Sequence, residues 1–511
     1  MFALWFVWMA VYYGFRMFSL TPWYDELYTY YYFISRGPVY AAIHWPLPNN
    51  HVGYSVLSGF LDLLGNPVLG LRGISYLAAL ANLLLLYKIG KKCFSEGWSF
   101  CCVALYSCMQ LVNQLAVQGR GYTLAVSCFL TAVLMLQEIG WKEKGETAKD
   151  AGKKKDIKYY VIFSFSLTLG LYILPSSVYW VVPVCMVGGL FLLLYQKIKA
   201  LVCLIISSVI AAWHTLLLYA LIWLAIGSNL MSKAEGGAFY GQGHFGIIRS
   251  APFLALRTGM DYMLATPYIQ SVERKGFVSK LAEWFRFLFD FYYPGLGTVL
   301  LGITACGLLF AVWQGRRAYK EGRWRAFFLF LFVAVVLLLM PVFLLIQCAL
   351  PYFRVFSYIG IPVSMLLCLL LQDIAGKWSK FPRPFAGKAA VGACTLLAIV
   401  LLLSKEYNNE YGLSEYYARD ALENAGVKTE GKLCVTDCYQ QYLLKFYYGF
   451  ECENTAVEEA DTLLLHKEMT VPGGDFRWEF YHTYDTLPWE MIEKGMHPVY
   501  ENEEYIVYIR K

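Results

Sequence analysis

The first 26 residues, MFALWFVWMAVYYGFRMFSLTPWYDE, carry the reading that decides the fold. Residues 1–20 form one apolar run, and about 20 apolar residues is what a hydrocarbon core of about 30 Å demands of a helix. The run has neither a basic start nor a small-residue cleavage site, so it reads as a first span and not as a cleavable leader. Directly after it come Trp23-Tyr24-Asp25-Glu26, two adjacent carboxylates on an aromatic stretch at a membrane boundary. The rest of the chain has the same texture. Of 511 residues, 58% are hydrophobic, 17% aromatic and only 16% charged, with a mean hydropathy of +0.46. A soluble domain carries about 25% charged residues. This is the composition of a polytopic membrane protein.

Ten further apolar runs fall near residues 71–89, 98–117, 122–139, 159–175, 178–195, 201–226, 295–313, 327–350, 356–371 and 390–403, which predicts eleven spans in all. Lys and Arg collect in five connectors: 88–92, 142–158, 197–199, 316–325 and 377–388. Each follows an even-numbered span. Cytoplasmic loops are enriched in these residues, so the parity places the outer loops 21–70 and 227–294, the turns near Arg120 and Tyr352, and the tail on the opposite, outer side. This holds if residues 52–64 do not cross; a segment of that length suits an interfacial helix.

The charge is divided along the chain. Residues 405–511 hold 21 acids and 10 bases, a net −11, and the first 404 residues are +17. That division describes a basic, loop-anchored membrane domain (1–404) and an acidic soluble domain (405–511), with no nucleic-acid surface. The tail reads as α/β, with strands at 432–437 and 461–466, a helix at 438–448 with Tyr442, Leu443 and Phe446 on one face, and a terminal hairpin at 499–509. Such an order suits a small three-layer domain. Most of the fourteen cysteines lie in apolar runs, where Cys acts as a small hydrophobe, so a disulfide framework is not expected.

Candidate chemistry gathers on the outer side. Asp25 and Glu26 can serve as a general base and its neighbour; equally, Asp25 can N-cap a helix over 27–35 with Glu26 favourable to its dipole. The stretch His44-Trp45-Pro46-Leu47-Pro48-Asn49-Asn50-His51 is kept from regular helix by its prolines, and His44, Asn50 and His51 offer donors and acceptors. Asp25, His44 and His51 could converge on a metal, although two His seven residues apart are more often hydrogen-bonding groups. Arg120 sits between Gly119 and Gly121, and Arg354 precedes the tenth span. Both run against the positive-inside bias, and each suits either a phosphate or a lipid head group. Asp62 and Arg72 read either as a structural pair or as substrate contacts and His214 as a core residue, while Asp261, Glu273, Arg274 and Glu283 mark the long loop.

At these residues the chain resembles a GT-C fold glycosyltransferase, of the kind related to protein O-mannosyltransferases and to the bacterial aminoarabinose transferases of lipid A. Four features carry the likeness: Asp25-Glu26 after the first span, the Asn50-His51 stretch, Arg120-Gly121-Tyr122-Thr123-Leu124 resembling R-x-Y-x-L, and the Arg354 segment. The sequence departs from the pattern after His51, where Val52-Gly53-Tyr54 stand in place of prolines. The resemblance implies an inverting transferase in a bacterial plasma membrane, taking a sugar from a polyprenyl-phosphate donor at the outer face and passing it to a glycan, lipid or protein acceptor. It implies Asp25 as base, Glu26 as its neighbour and Arg120 as a phosphate contact; Arg354 extends the phosphate set. Tyr24, His44, Asn50, His51 and Tyr122 are the candidate substrate contacts. No cofactor is firmly implied, and a divalent cation stays open. A transporter or flippase for a lipid-linked substrate is the alternative, with a scaffold recruiting a partner through the tail as a third reading.

Overall fold

The computed structural model describes residues 1–44, 50–140, 153–224, 270–271, 275–377, 383–404, 414–428, 431–452, 455–474 and 479–511. Asn49, Asp261, Glu273, Arg274, most of the 227–294 loop and most of the 142–158 basic run lie outside them. Two compact units emerge: Met1–Phe18 with Phe33–Asn408, and Ser19–Tyr32 with Asn409–Lys511.

The chain runs through helices α1 (Phe2–Ser19), α2 (Tyr24–Tyr32), α3 (Pro38–Ile43), α4 (Val52–Asp62), α5 (Pro67–Cys93), α6 (Glu96–Ser107), α7 (Gln110–Ala116), α8 (Tyr122–Gly140), α9 (Lys153–Ile173), α10 (Val178–Leu194) and α11 (Ile198–Leu224). It continues through α12 (Phe277–Tyr292), α13 (Gly297–Lys320), α14 (Trp324–Gln347), α15 (Gly360–Lys377) and α16 (Arg383–Leu403). Among the described residues seven helices are long and apolar enough to cross a membrane, or nine if each of two bent pairs counts as one span; Ile157–Ile173 and Gly387–Leu403 are apolar but shorter. The eleven stretches read from the sequence fall on these segments. The protein is an integral, multi-pass membrane protein.

Burial follows lipid and not water. On α1 the exposed side chains Leu4, Val7, Val11, Phe15 and Phe18 recur at helical spacing, while Trp5, Met9, Tyr13 and Met17 face inward. The exposed stripe is the more apolar one, the arrangement expected where lipid is the solvent. His214 corrects the reading of a core residue: it is exposed on α11, whose span is only 17% buried. The run at 98–117 is likewise not one straight helix. It bends by 75° between α6 and α7. Asn113 Nδ2 donates to the carbonyls of Ser107 and Met109, each at 2.8 Å, and so satisfies acceptors that the break releases. α4, at 11 residues, is too short to cross. α5 starts where Asn66 caps the amides of Val68 and Leu69 with Pro67 at the first position.

The second unit carries a four-stranded sheet of β3 (Leu433–Val435), β4 (Thr462–His466), β5 (Met496–Glu501) and β6 (Tyr505–Arg510) in the order β3-β4-β6-β5; β1 (Gln270–Ser271) and β2 (Ala349–Leu350) pair separately in the first unit. β3 and β4 are parallel, joined through helix α18 (Cys438–Tyr448), and the other pairs are antiparallel. Alternation divides the sheet into two cores. Leu433, Val435, Leu464 and Val507 pack with Ala418 and Leu422 of α17 (Ser414–Asn424). Cys434, Leu463 and Leu465 pack with Ile492 of α19 (Trp489–Gly495). Helices on both faces make the three layers that the tail's sequence predicts. All fourteen cysteines are free thiols.

Candidate functional site

The loop between α7 and α8 carries Arg120. The Arg120 amide donates to Gln118 O at 2.7 Å, which folds the loop back on itself. The hydroxyl of Ser75 on α5 donates to Gln118 O at 2.5 Å, which ties the loop to that helix, and Tyr54 on α4 donates to Leu71 O of α5 at 2.6 Å. Both flanking glycines are needed for close packing. A Cβ on Gly119 would lie 2.4 Å from Leu71 Cδ1, and one on Gly121 2.5 Å from Ile173 Cγ2 and 3.2 Å from His51 Cβ. The structure uses these glycines to seat the loop against its own protein. Gly121→Ala should therefore destabilise the protein by about 1–3 kcal/mol and displace His51, seen as a lower unfolding midpoint in detergent.

His51, 4% exposed at the start of α4, accepts the Gly121 amide at Nδ1 (2.9 Å) and presents Nε2 to Arg120 Nη2 at 3.2 Å. A backbone amide can only donate, so Nδ1 is the bare nitrogen and the single proton of a neutral imidazole sits on Nε2. Nε2–H and the guanidinium N–H then face each other as two donors. An anionic oxygen is the kind of acceptor that two such neighbouring donors would share. Burial first, then the positive charges of Arg120 and Arg354, holds the His51 pKa well below the ordinary histidine value. The ring is neutral.

A pH dependence follows from that shift. Below about pH 6.5 the unfolded chain protonates His51 and the folded chain does not, so stability falls as pH drops through this window toward the depressed folded value. His51→Gln, which can still accept the Gly121 amide, should flatten the loss of thermal stability on acidification. Parallel pH profiles for the two proteins would contradict this.

Arg354 reaches the same cluster from a distant segment. It lies on the short 3-10 turn Phe353–Ile359, just after β2. Trp284 of the amphipathic α12 donates to Pro351 O at 3.1 Å, and Tyr292 donates to Phe356 O at 2.6 Å, fixing that turn. The Arg354 guanidinium lies 5.7 Å from the centre of the Tyr122 ring and 4.7 Å from that of Tyr352, cation–π distances. Tyr122 in turn meets the His51 ring edge-on at 4.9 Å. Residues from three separate stretches of the sequence, His51, Arg120 with Tyr122, and Arg354, thus form one cationic, aromatic-lined cluster.

The other candidates have different duties. Asn50 donates to Ala41 O and His44 O and accepts from Ser55 Oγ, so its amide holds the ends of its loop together. His44 packs against Tyr40 and Phe33. In the second unit, α2 begins at Tyr24 and not at residue 27, which corrects the capping reading. Asp25 is inside the first turn, and Glu26, fully buried, reaches back to accept the Trp23 amide at 2.9 Å, half of a capping box. Tyr24 packs on Tyr442. Arg72 donates to Met17 O. Among the described residues no group of three or more His, Cys, Asp or Glu is arranged to hold a metal ion. Ser75, which holds the Arg120 loop, was not singled out by sequence; the available signal was a hydroxyl inside an otherwise apolar helix.

The fold is of the GT-C type. Over 99% of this chain and 97% of the other, the structure is similar to ArnT from Cupriavidus metallidurans bound to undecaprenyl phosphate, with a TM-score of 0.57 at 11% identity. It is similar to the archaeal oligosaccharyltransferase AglB from Archaeoglobus fulgidus, in complex with an inhibitory peptide and a dolichol-phosphate, with a TM-score of 0.50 at 12% identity over 91% of this chain and 69% of that one. No family model matches the chain, and no curated protein matches it in sequence.

Proposed function

We propose that the protein is an inverting glycosyltransferase that moves a sugar from a polyprenyl-phosphate donor to an acceptor of the cell envelope, at the outer face of a bacterial plasma membrane. The observation that carries this reading is the buried donor pair of His51 and Arg120, joined by Arg354, within a GT-C fold. The solved neighbours support the choice of anion, since ArnT holds undecaprenyl phosphate and AglB a dolichol-phosphate. The basic connectors support the orientation.

In the reaction we assign, an acceptor oxygen attacks the anomeric carbon from the side opposite the phosphate. Asp25 takes the acceptor proton, the bond from the anomeric carbon to the phosphate oxygen breaks, and its electron pair stays with the phosphate. Arg120, Arg354 and the His51 Nε2–H stabilise the charge that grows there. Glu26 acts through the helix it caps.

Mass spectrometry of polyprenyl-phosphate sugars tests the reading in cells expressing the wild-type chain or Asp25→Asn at matched levels. Accumulation of one glycolipid in the mutant supports the transferase and identifies its donor. An unchanged pool with both proteins folded refutes it, and movement of a lipid-linked substrate across liposomes without a glycosyl product would then favour transport.

A further inference from the structure

α2 is nine residues long, Tyr24-Asp25-Glu26-Leu27-Tyr28-Thr29-Tyr30-Tyr31-Tyr32. A helix shorter than about 12 residues is marginal by itself, so its position is set by what it packs against. Tyr24, Leu27, Tyr28, Tyr31 and Tyr32 follow the i, i+3, i+4, i+7, i+8 stripe of a packing face. α18 presents the matching stripe, Tyr439, Tyr442, Leu443 and Phe446. Leu27 and Leu443 are fully buried between the two, and Tyr442 is 5% exposed. Tyr442 is the hub: its ring centre lies 5.6 Å from that of Tyr24, 5.7 Å from Tyr31 in a stacked arrangement, and 6.5 Å from Tyr32 edge-on.

Both ends of α2 are tied to the same helix. Tyr439 donates its hydroxyl to Pro22 O at 2.9 Å, just before the first turn. At the other end the Tyr442 hydroxyl meets that of Tyr32 at 3.4 Å. Lys445 adds a cation over the Tyr31 ring at 5.1 Å. α18 is itself fixed in the sheet domain, since Asp437 caps the amides of Tyr439 and Gln440, and Gln441 donates to Val435 O. Asp25 lies next to Tyr24 in sequence, about 100° around the helix from it. The rotation that α18 imposes on the tyrosine stripe is therefore the rotation at which the Asp25 carboxylate leaves the helix.

We propose that the C-terminal domain is a positioning element for Asp25, acting through Tyr442 and Tyr439 of α18. The proposal rests on the reading of Asp25 as the base. It gives the acidic tail a duty in the chemical step and not only in solubility or acceptor capture. A displacement of about 1 Å at a reacting group costs about 100-fold in rate. Tyr442→Ala, which empties the hub, should then lower sugar transfer about 10- to 100-fold. Tyr442→Phe keeps the ring and should stay within about twofold of wild type, because the hydroxyl contact it loses is long. Tyr439→Phe releases only the shorter tie to Pro22 and should lower transfer about threefold or more.

The test uses the full-length chain in membranes. It follows transfer through the polyprenyl-phosphate sugar pool and, separately, binding of undecaprenyl phosphate to the purified protein in nanodiscs. Loss of transfer in Tyr442→Ala and Tyr439→Phe, with undecaprenyl phosphate binding unchanged and Tyr442→Phe active, is the expected result. Wild-type transfer in Tyr439→Phe and Tyr442→Ala, with Asp25→Asn inactive, overturns the positioning role and leaves the base assignment standing. Loss of binding in parallel with transfer makes the contact merely structural and also overturns it. An active Asp25→Asn overturns both.

Discussion

Asp25→Asn is expected to lower sugar transfer by about 100- to 10,000-fold, the range that a positioned general base contributes, while the protein stays folded in the membrane. The substitution is nearly isosteric, and the Asp25 carbonyl, which accepts from Thr29 Oγ1 at 2.7 Å, belongs to the backbone and is unchanged by it. What is lost is the ability to take a proton. The neighbouring carboxylate provides the contrast. Glu26 is buried and spends an oxygen on the Trp23 amide, a bond that Gln can replace. Glu26→Gln should retain most of the activity, and Glu26→Ala should cost about 1 kcal/mol of stability by losing the cap. Turnover in membranes at matched protein levels checks both halves. An active Asp25→Asn would remove Asp25 from the chemistry.

The membrane fold was legible because lipid imposes a length and a composition on every span, and both are local properties of sequence. The tail was legible for the same reason: Leu433 and Val435 alternate with Cys434 between two cores, and Tyr442, Leu443 and Phe446 share a helical face. The break at Cys108 was not legible. It depends on Asn113 folding back onto the Ser107 and Met109 carbonyls, and an Asn in an apolar run does not announce its partner. The start of α2 was missed because the capping group comes from inside the helix, from Glu26, and not from the residue before it. His51 and Arg120 could each be chosen from sequence by residue type and position. Their relation could not be, since the two-donor contact is set by the Gly121 amide, and its seating depends on Leu71 and Ile173 leaving no room for a Cβ at Gly119 and Gly121. The pairing of α2 with α18 links positions more than 400 apart in the chain, as the bond from Tyr439 to Pro22 illustrates, and no local pattern encodes which two stripes meet.

Arg120→Ala should lower kcat for transfer by about 100- to 1,000-fold, the cost of removing one preorganised donor from a developing anion. The direction of the effect follows from charge. A sugar joined to a polyprenyl phosphate leaves a single negative charge on the phosphate, and when the anomeric bond breaks the departing phosphate approaches a second. A buried guanidinium at 3% exposure interacts more strongly with the dianion than with the monoanion, and little water screens the difference. The loss should therefore fall mainly on kcat and on affinity for the released undecaprenyl phosphate, with donor KM less affected. Arg120→Lys keeps the charge but gives up the planar fork, and should recover only part of the rate. Arg354 is half-buried and closer to solvent, so Arg354→Ala should cost less than Arg120→Ala. Titrating undecaprenyl phosphate against the purified variants in nanodiscs distinguishes these cases. If Arg120→Ala folds and binds undecaprenyl phosphate as tightly as wild type, the two donors at His51 and Arg120 serve something other than a lipid phosphate.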